Sequence, residues 1–147
     1  MTTATYETDF YAWTKQQASL LQTEELEQLD LPNLIEEIES RGASQRSALT
    51  SRLKVLLIHL LKLRVQARPD DRLPRSWLNT ILEQRQRIEL IFRTSPSLRR
   101  EMMDEIAYAY PRARKKAAIE TNLALSTFPA DCPWTVEEIL DEDWLPT

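Results

Sequence analysis

The sequence predicts an all-α, single-domain helical bundle, and three observations carry that expectation. The 147 residues hold a single glycine, Gly42, among abundant Leu, Glu, Arg, Ala and Gln, a composition of good helix formers. No segment sustains the alternation of β-branched residues that marks a half-buried strand. Apolar residues instead recur at spacings of three and four, the period of one helix face. Hydrophobic residues make up 42% and charged residues 29% of the chain, so a core can form at this size without disulfides or metals.

The elements follow in order. A first helix is expected over residues 9–23, with Phe10, Trp13, Gln17, Leu20 and Leu21 near one face. A turn at residues 24–29 precedes Asp30, a candidate N-cap, and Pro32 in the first turn, where its missing N–H costs nothing. Helical periodicity then runs to residue 66 through Leu34, Ile35, Ile38, Leu49, Leu53, Leu56, Leu57, Leu60 and Leu61. Gly42 weakens a helix by about 1 kcal/mol relative to alanine; one long helix with a bend there is the expectation. Residues 67–74 (ARPDDRLP) read as a loop between two prolines. A third helix is expected over residues 75–94, with Trp77, Ile81, Ile88 and Phe92 inward. Ser95 is placed to cap, and Pro96 to open, a fourth helix over residues 96–125, kinked at Pro111. After the loop FPADCP (residues 128–133), Thr135 and Glu138 form a capping-box pattern that opens a short helix to residue 142. Short connections imply mostly antiparallel neighbours, giving about four long helices and a short C-terminal one.

Several of these stretches, in this order, carry a resemblance: DFYAWTKQQASLL (9–21), LDLPNLIEEIES (29–40), LLIHLLKL (56–63), SWLNTILEQR (76–85), SPSLR (95–99), AIETNL (118–123) and FPADCPWTVEEIL (128–140). The chain resembles the bacterial proteins grouped as domain-of-unknown-function family 29, over nearly its whole length. The resemblance implies an all-helical fold. It carries no catalytic residue across, because no activity is established for the family. Pro111 departs from the family pattern.

Composition removes several function classes. One cysteine, Cys132, and one histidine, His59, exclude multi-cysteine and multi-histidine metal sites. The two Glu-x-x-His pairs of a di-iron bundle are missing. A single glycine excludes phosphate-cradling and dinucleotide loops. The longest apolar run, residues 55–63, is too short to span a bilayer and is broken by His59 and Lys62. The start of the chain is polar and acidic, unlike a secretory signal, so a cytoplasmic protein with no membrane association is expected. Charge is segregated: residues 1–40 carry −8, residues 41–116 carry +11 and residues 117–147 carry −7.

Five side chains form a candidate polar cluster: Glu36, Glu39, His59, Arg85 and Glu120. On an ideal helix Glu36 and Glu39 lie about 60° apart, on one flank of the Leu34/Ile38 stripe, where acids also suit the helix dipole. His59 is the one imidazole able to carry a proton near neutral pH, and it points beside the core, where it needs a carboxylate or carbonyl partner in any case. Glu120 falls on the face of Leu98, Met102, Ala109, Ala113 and Ala117, so it is expected to be buried against Arg85 or His59. A buried pair of that kind is as much architecture as chemistry. Geometry limits the cluster, since Glu37 and His59 are separated by about 33 Å along an unbroken helix. No catalytic residue, cofactor or metal is assigned from it.

The basic middle offers Arg41, Arg46, Arg52, Lys54, Arg64, Arg68, Arg72 and Arg75, and later Arg112, Arg114, Lys115 and Lys116. Such a run suits phosphate backbones, but a pI near 5.1 does not, no aromatic platform interleaves it, and the acidic ends are able to cover it. Cys132 lacks neighbouring bases to activate it. Residues 134–146 read either as a tail docked on the bundle or as an acidic-aromatic partner motif. The resulting expectation is a small interaction or regulatory protein that binds a protein partner or itself. The alternatives are an enzyme or mononuclear metal binder using the Glu/His cluster, and a nucleic-acid-associated protein using the basic region.

Overall fold

The computed structural model describes residues 5–66 and 73–146. Among them the chain is all-α and holds no strand. Its helices are α1 (Phe10–Gln22), α2 (Leu31–Gln66), α3 (Arg75–Thr94), α4 (Met102–Thr121) and α5 (Val136–Leu140), with three short 3-10 segments between them. Most of the predicted 67–74 loop, together with Arg68 and Arg72, lies outside the described residues. The chain divides into two compact units, Met1–Ser44 and Gln45–Thr147.

In the first unit, the Asp9 side chain accepts the Ala12 N–H and caps α1. The chain leaves α1 through Glu24, whose φ of 59° is left-handed, and a 3-10 turn at Leu26–Gln28. Asp30 then starts α2: its carbonyl accepts from Leu34 and its carboxylate receives the Asn33 N–H at 3.5 Å. Trp13 and Gln17 are the buried side chains of α1. Gly42 does not end the helix, and α2 is assigned without interruption from Leu31 to Gln66.

The second unit holds the hydrophobic core. The Leu49–Leu63 stretch of α2 packs Leu49, Leu53, Leu56, Leu57, Leu60 and Leu61 against Ile81, Ile88 and Phe92 of α3 and the small face of α4, with Phe128 and Ile139 closing it. Alanines 109, 113 and 117 are wholly buried, so backbone and neighbouring side chains approach α4 closely. Trp77 is half-buried, not inward: it packs on the core edge and carries Lys62 Nζ over its ring at 4.7 Å.

Three boundaries differ from the sequence expectation, each for a local reason. Ser95 does not cap a fourth α-helix: its hydroxyl pairs with the Gln45 side chain and its N–H closes α3 on Ile91. Pro96 opens a 3-10 segment, Pro96–Glu101, and α4 begins only at Met102. The helix stops at Thr121, not residue 125, because Asn122 takes the left-handed conformation (φ 57°, ψ 34°) and returns its N–H to α4. Pro111 sits inside α4 on an exposed position beside exposed Ala107, whose carbonyl loses its helical donor where water reaches it. The predicted capping box is present, with Thr135 and Glu138 bonding reciprocally, and α5 ends at Leu140.

Candidate functional site

Among the described residues no ion pair joins two members of the predicted polar cluster. Glu36 and Glu39 are exposed on the first turns of α2. His59, in the second unit, is half-buried. Its Nδ1 lies 2.8 Å from the Val55 carbonyl of its own helix, the backbone partner that any half-buried imidazole can take. Glu120 is exposed, contrary to expectation. It has the right angle for the α4 face but sits in the last turn, where Ile119 is also exposed and the core has run out.

Arg85 does turn inward and is 3% exposed, but it meets no carboxylate. Its Nε donates to the Ile139 carbonyl at 2.8 Å, Nη1 to Trp144 at 2.8 Å and Nη2 to Glu138 at 3.3 Å. Burial lowers the guanidinium's pKa from its ordinary value, and the nearby Asp141 and Glu142 oppose that shift. Arg85 thereby ties the C-terminal segment onto α3. That segment is docked on the bundle, with Trp134 and Trp144 meeting edge to face at 5.9 Å. The four ion pairs among the described residues join Arg46 to Glu101 and Glu105, Arg87 to Glu83 and Arg99 to Glu89. None uses an acid beyond residue 116, so the expected ionic masking of the basic middle by this tail is not seen there.

The buried carboxylate of α4 is Glu105. Its Oε1 receives Arg46 Nε at 2.7 Å and its Oε2 the Thr50 hydroxyl at 2.6 Å. Angle alone does not single it out: counted from Leu98, Glu120 falls near the centre of the Met102/Ala109/Ala113 face at about 40°, and Glu105 about 60° to one side of that centre. About four turns of α4 follow Glu105, whereas Glu120 is one residue from the helix end. Both oxygens are satisfied by groups that hold α2 against α4.

The first unit has a comparable node at Asp30. Oδ2 accepts the Trp13 indole N–H at 3.0 Å and the Asn33 amide at 2.8 Å, while the Asp30 N–H donates to Gln17 at 2.8 Å. These donors, Asn33 foremost, hold the Asp30 carboxyl below its usual range, against the effect of burial. Tyr6 donates its hydroxyl to Glu37 and packs edge-on against Phe10 and Trp13. That hydrogen bond is the main reason its phenol is pushed up to about 12. A cleft of about 530 Å³ opens beside these groups, lined by amides and hydroxyls.

What this unit leaves uncovered is apolar. Leu34, Ile35 and Ile38 were expected among the core positions of α2; Leu34 is half-buried, but Ile35 and Ile38 are exposed, as is Leu31. Leu31 is 54%, Ile35 53% and Ile38 73% exposed. With Gly42 they follow spacings of four, three and four residues, so they lie within about 60° of one another on one face. Glu39 borders that face on one side, with Glu36 further round, and Arg41 borders it on the other; nothing lies within 4 Å of where a Gly42 side chain would begin.

Basic residues of the second unit are partly committed. Arg114 is half-buried and donates twice to the Phe128 carbonyl, beside the Tyr110 hydroxyl's bond to Pro129. Burial pushes the Tyr110 phenol up to about 12. Arg112, Lys115 and Lys116 remain exposed, and Arg112 covers the Tyr108 ring at 3.7 Å, so an aromatic does lie among these bases. Cys132 is half-buried, its thiol directed at the Trp134 carbonyl and its pKa raised by burial, the opposite of an activated nucleophile.

The model of the family described as domain of unknown function DUF29 matches residues 5–145. The chain belongs to this family. The match takes in both the Asp30 node and the Arg85 tie, so the DUF29 region spans the two compact units. No curated protein and no solved structure matches the chain with significance. None of the described residues of this DUF29 chain forms a group of three or more His, Cys, Asp or Glu placed to hold a metal ion. No described helix is long and apolar enough to cross a membrane.

Proposed function

We infer that this DUF29 chain is a small interaction module of the bacterial cytoplasm whose binding face is the apolar stripe of α2. The observation that supports the reading is the exposure of Leu31, Ile35 and Ile38 at heptad-like spacing. Three branched aliphatic side chains on one helix face match the anchor pattern of helix-on-helix recognition. Burying one such side chain is worth about 1.5–3 kcal/mol. Glu39 beside the stripe and Glu36 further round, in a stretch of net charge −8, favour a cationic amphipathic helix as the partner and disfavour an acidic one.

The test is titration of the full chain with a fluorescent amphipathic helix built from leucine and lysine, followed by anisotropy. Saturable binding that weakens with salt is expected. The double variant Ile35→Asp/Ile38→Asp is expected to bind more than about tenfold more weakly, the loss that about 1.4 kcal/mol represents. Equal binding by the variant, or none by the natural chain, overturns the reading.

A further inference from the structure

We propose that the cationic helix recognised by the α2 stripe is α4 of a second copy of this chain; the proposal rests on the preceding reading of α2 and names its partner. The exposed face of α4 carries Tyr108, Arg112, Lys115 and Ile119. Their spacings are four, three and four residues, the same as Leu31, Ile35, Ile38 and Gly42 on α2. Both stripes are therefore about 16 Å long. Tyr108 is 53% and Ile119 80% exposed, and Lys116 widens the cationic flank.

An antiparallel alignment brings every position of the two stripes into register. Leu31 then faces Ile119, apolar against apolar. Ile35 and Ile38 face the aliphatic stems of Lys115 and Arg112, whose charged ends reach outward past them. The Lys115 end arrives beside Glu39, which has no ion-pair partner among the described ion pairs, while the Arg112 guanidinium stays on the Tyr108 ring and carbonyl. Gly42 faces Tyr108, and the open space at Gly42 accepts the ring with Arg112 stacked on it. Opposed helix dipoles favour the same orientation. Two copies of the acidic α2 face would instead set Glu36 and Glu39 against their own kind, which argues for the unlike pairing. Each copy offers one stripe of each kind, so the contact is head-to-tail and extends until a ring closes or chains run out.

Sedimentation velocity on the full chain across the micromolar range, at low and high salt, tests this. The natural chain is expected to show mass rising with concentration and falling with salt. Glu36→Lys/Glu39→Lys and Arg112→Glu/Lys115→Glu, each alone, are expected to remain monomeric. Mixed together, the natural α4 face of the first meets the natural α2 face of the second, and the two reversed faces are complementary as well, so association is expected to return in the mixture. The four substitutions in one chain reverse both faces and are expected to restore association. Circular dichroism on every variant confirms that helix content is unchanged; should a charge variant misfold, Leu31→Cys and Ile119→Cys chains, both carrying Cys132→Ser, replace it. Mixed, these are expected to oxidise to the heterodisulfide in preference to a Gly42→Cys/Ile119→Cys pair. A natural chain that stays monomeric, a mixture that does not pair, or no preference in cross-linking overturns the proposal. A monomeric chain that still binds the leucine-lysine helix leaves the α2 face standing and removes only the second copy as its partner. Failure of both removes both.

Discussion

Glu105 shows how a single residue decides whether an acid is architecture or surface. Its carboxylate holds Arg46 and Thr50, and hydrogen bonds to a charged group are worth about 1.5–3 kcal/mol. Glu105→Ala is therefore expected to lower stability in urea by about 2–3 kcal/mol, whereas Glu120→Ala at its exposed site should stay within about 0.5 kcal/mol. Equal effects would place both carboxylates in the same surroundings. Tyr110 supplies a pH dependence. Its pKa rises from 10.0 to about 12 on burial, so the folded state keeps a proton that the unfolded chain gives up. The associated stability is complete below pH 10 and is lost as pH rises toward about 12. Ultraviolet titration should show tyrosinate still forming at the alkaline end of that window, and Tyr110→Phe should diminish that late step. A late step untouched by the substitution would assign it elsewhere. Side-chain periodicity located the buried face of α4 correctly but selected Glu120, because an angle around a helix does not say how far along the axis its neighbours extend. It turned Arg85 inward correctly and still missed its partners, since three backbone carbonyls leave no trace in residue identity.

At the scale of elements, helix periods and caps were legible where the cause is local. The capping box at Thr135, the Asp30 start of α2 and the apolar ladder from Leu49 to Leu61 all follow from neighbours within a turn or two. The start and stop of α4 were not, because a 3-10 turn at Pro96–Glu101 and the left-handed Asn122 depend on where the flanking chain must go. Asn122→Val should cost about 1–2 kcal/mol, since a β-branched residue resists that conformation, and Asn122→Gly should be tolerated; equal melting temperatures for the two would contradict the left-handed cap. Gly42 lies in uninterrupted helix with open space around it. Gly42→Ala is thus expected to raise stability by about 0.5–1 kcal/mol in denaturant unfolding, and a loss would reveal a close approach at that position. Ile35 and Ile38 of the exposed stripe were read from periodicity as core. A heptad pattern states that a face wants cover and is silent on which surface provides it.

At the scale of the whole molecule, the acidic–basic–acidic layout was read from composition, but its use was not. The C-terminal acids do not pair with the basic middle among the described ion pairs, and the segment is held by Ile139, its two tryptophans and Arg85. Deleting residues 134–147 is accordingly expected to cost several kcal/mol and to broaden the thermal transition, because it opens the core and strands a buried guanidinium; an unshifted melt would mean that this segment is a dispensable surface strap. The same tie sets an order of events. Arg85 reaches groups 53 to 59 residues away along the chain, whereas the helices it stabilises form through contacts between nearer neighbours. Contacts that close long loops tend to form after local ones, so the Arg85 tie is expected to form after the helices, as is the equally long-range Arg46–Glu105 link. Arg85→Ala should then leave the refolding rate nearly unchanged and accelerate unfolding, which makes the lifetime of the native state, more than the ease of reaching it, the property this arginine governs.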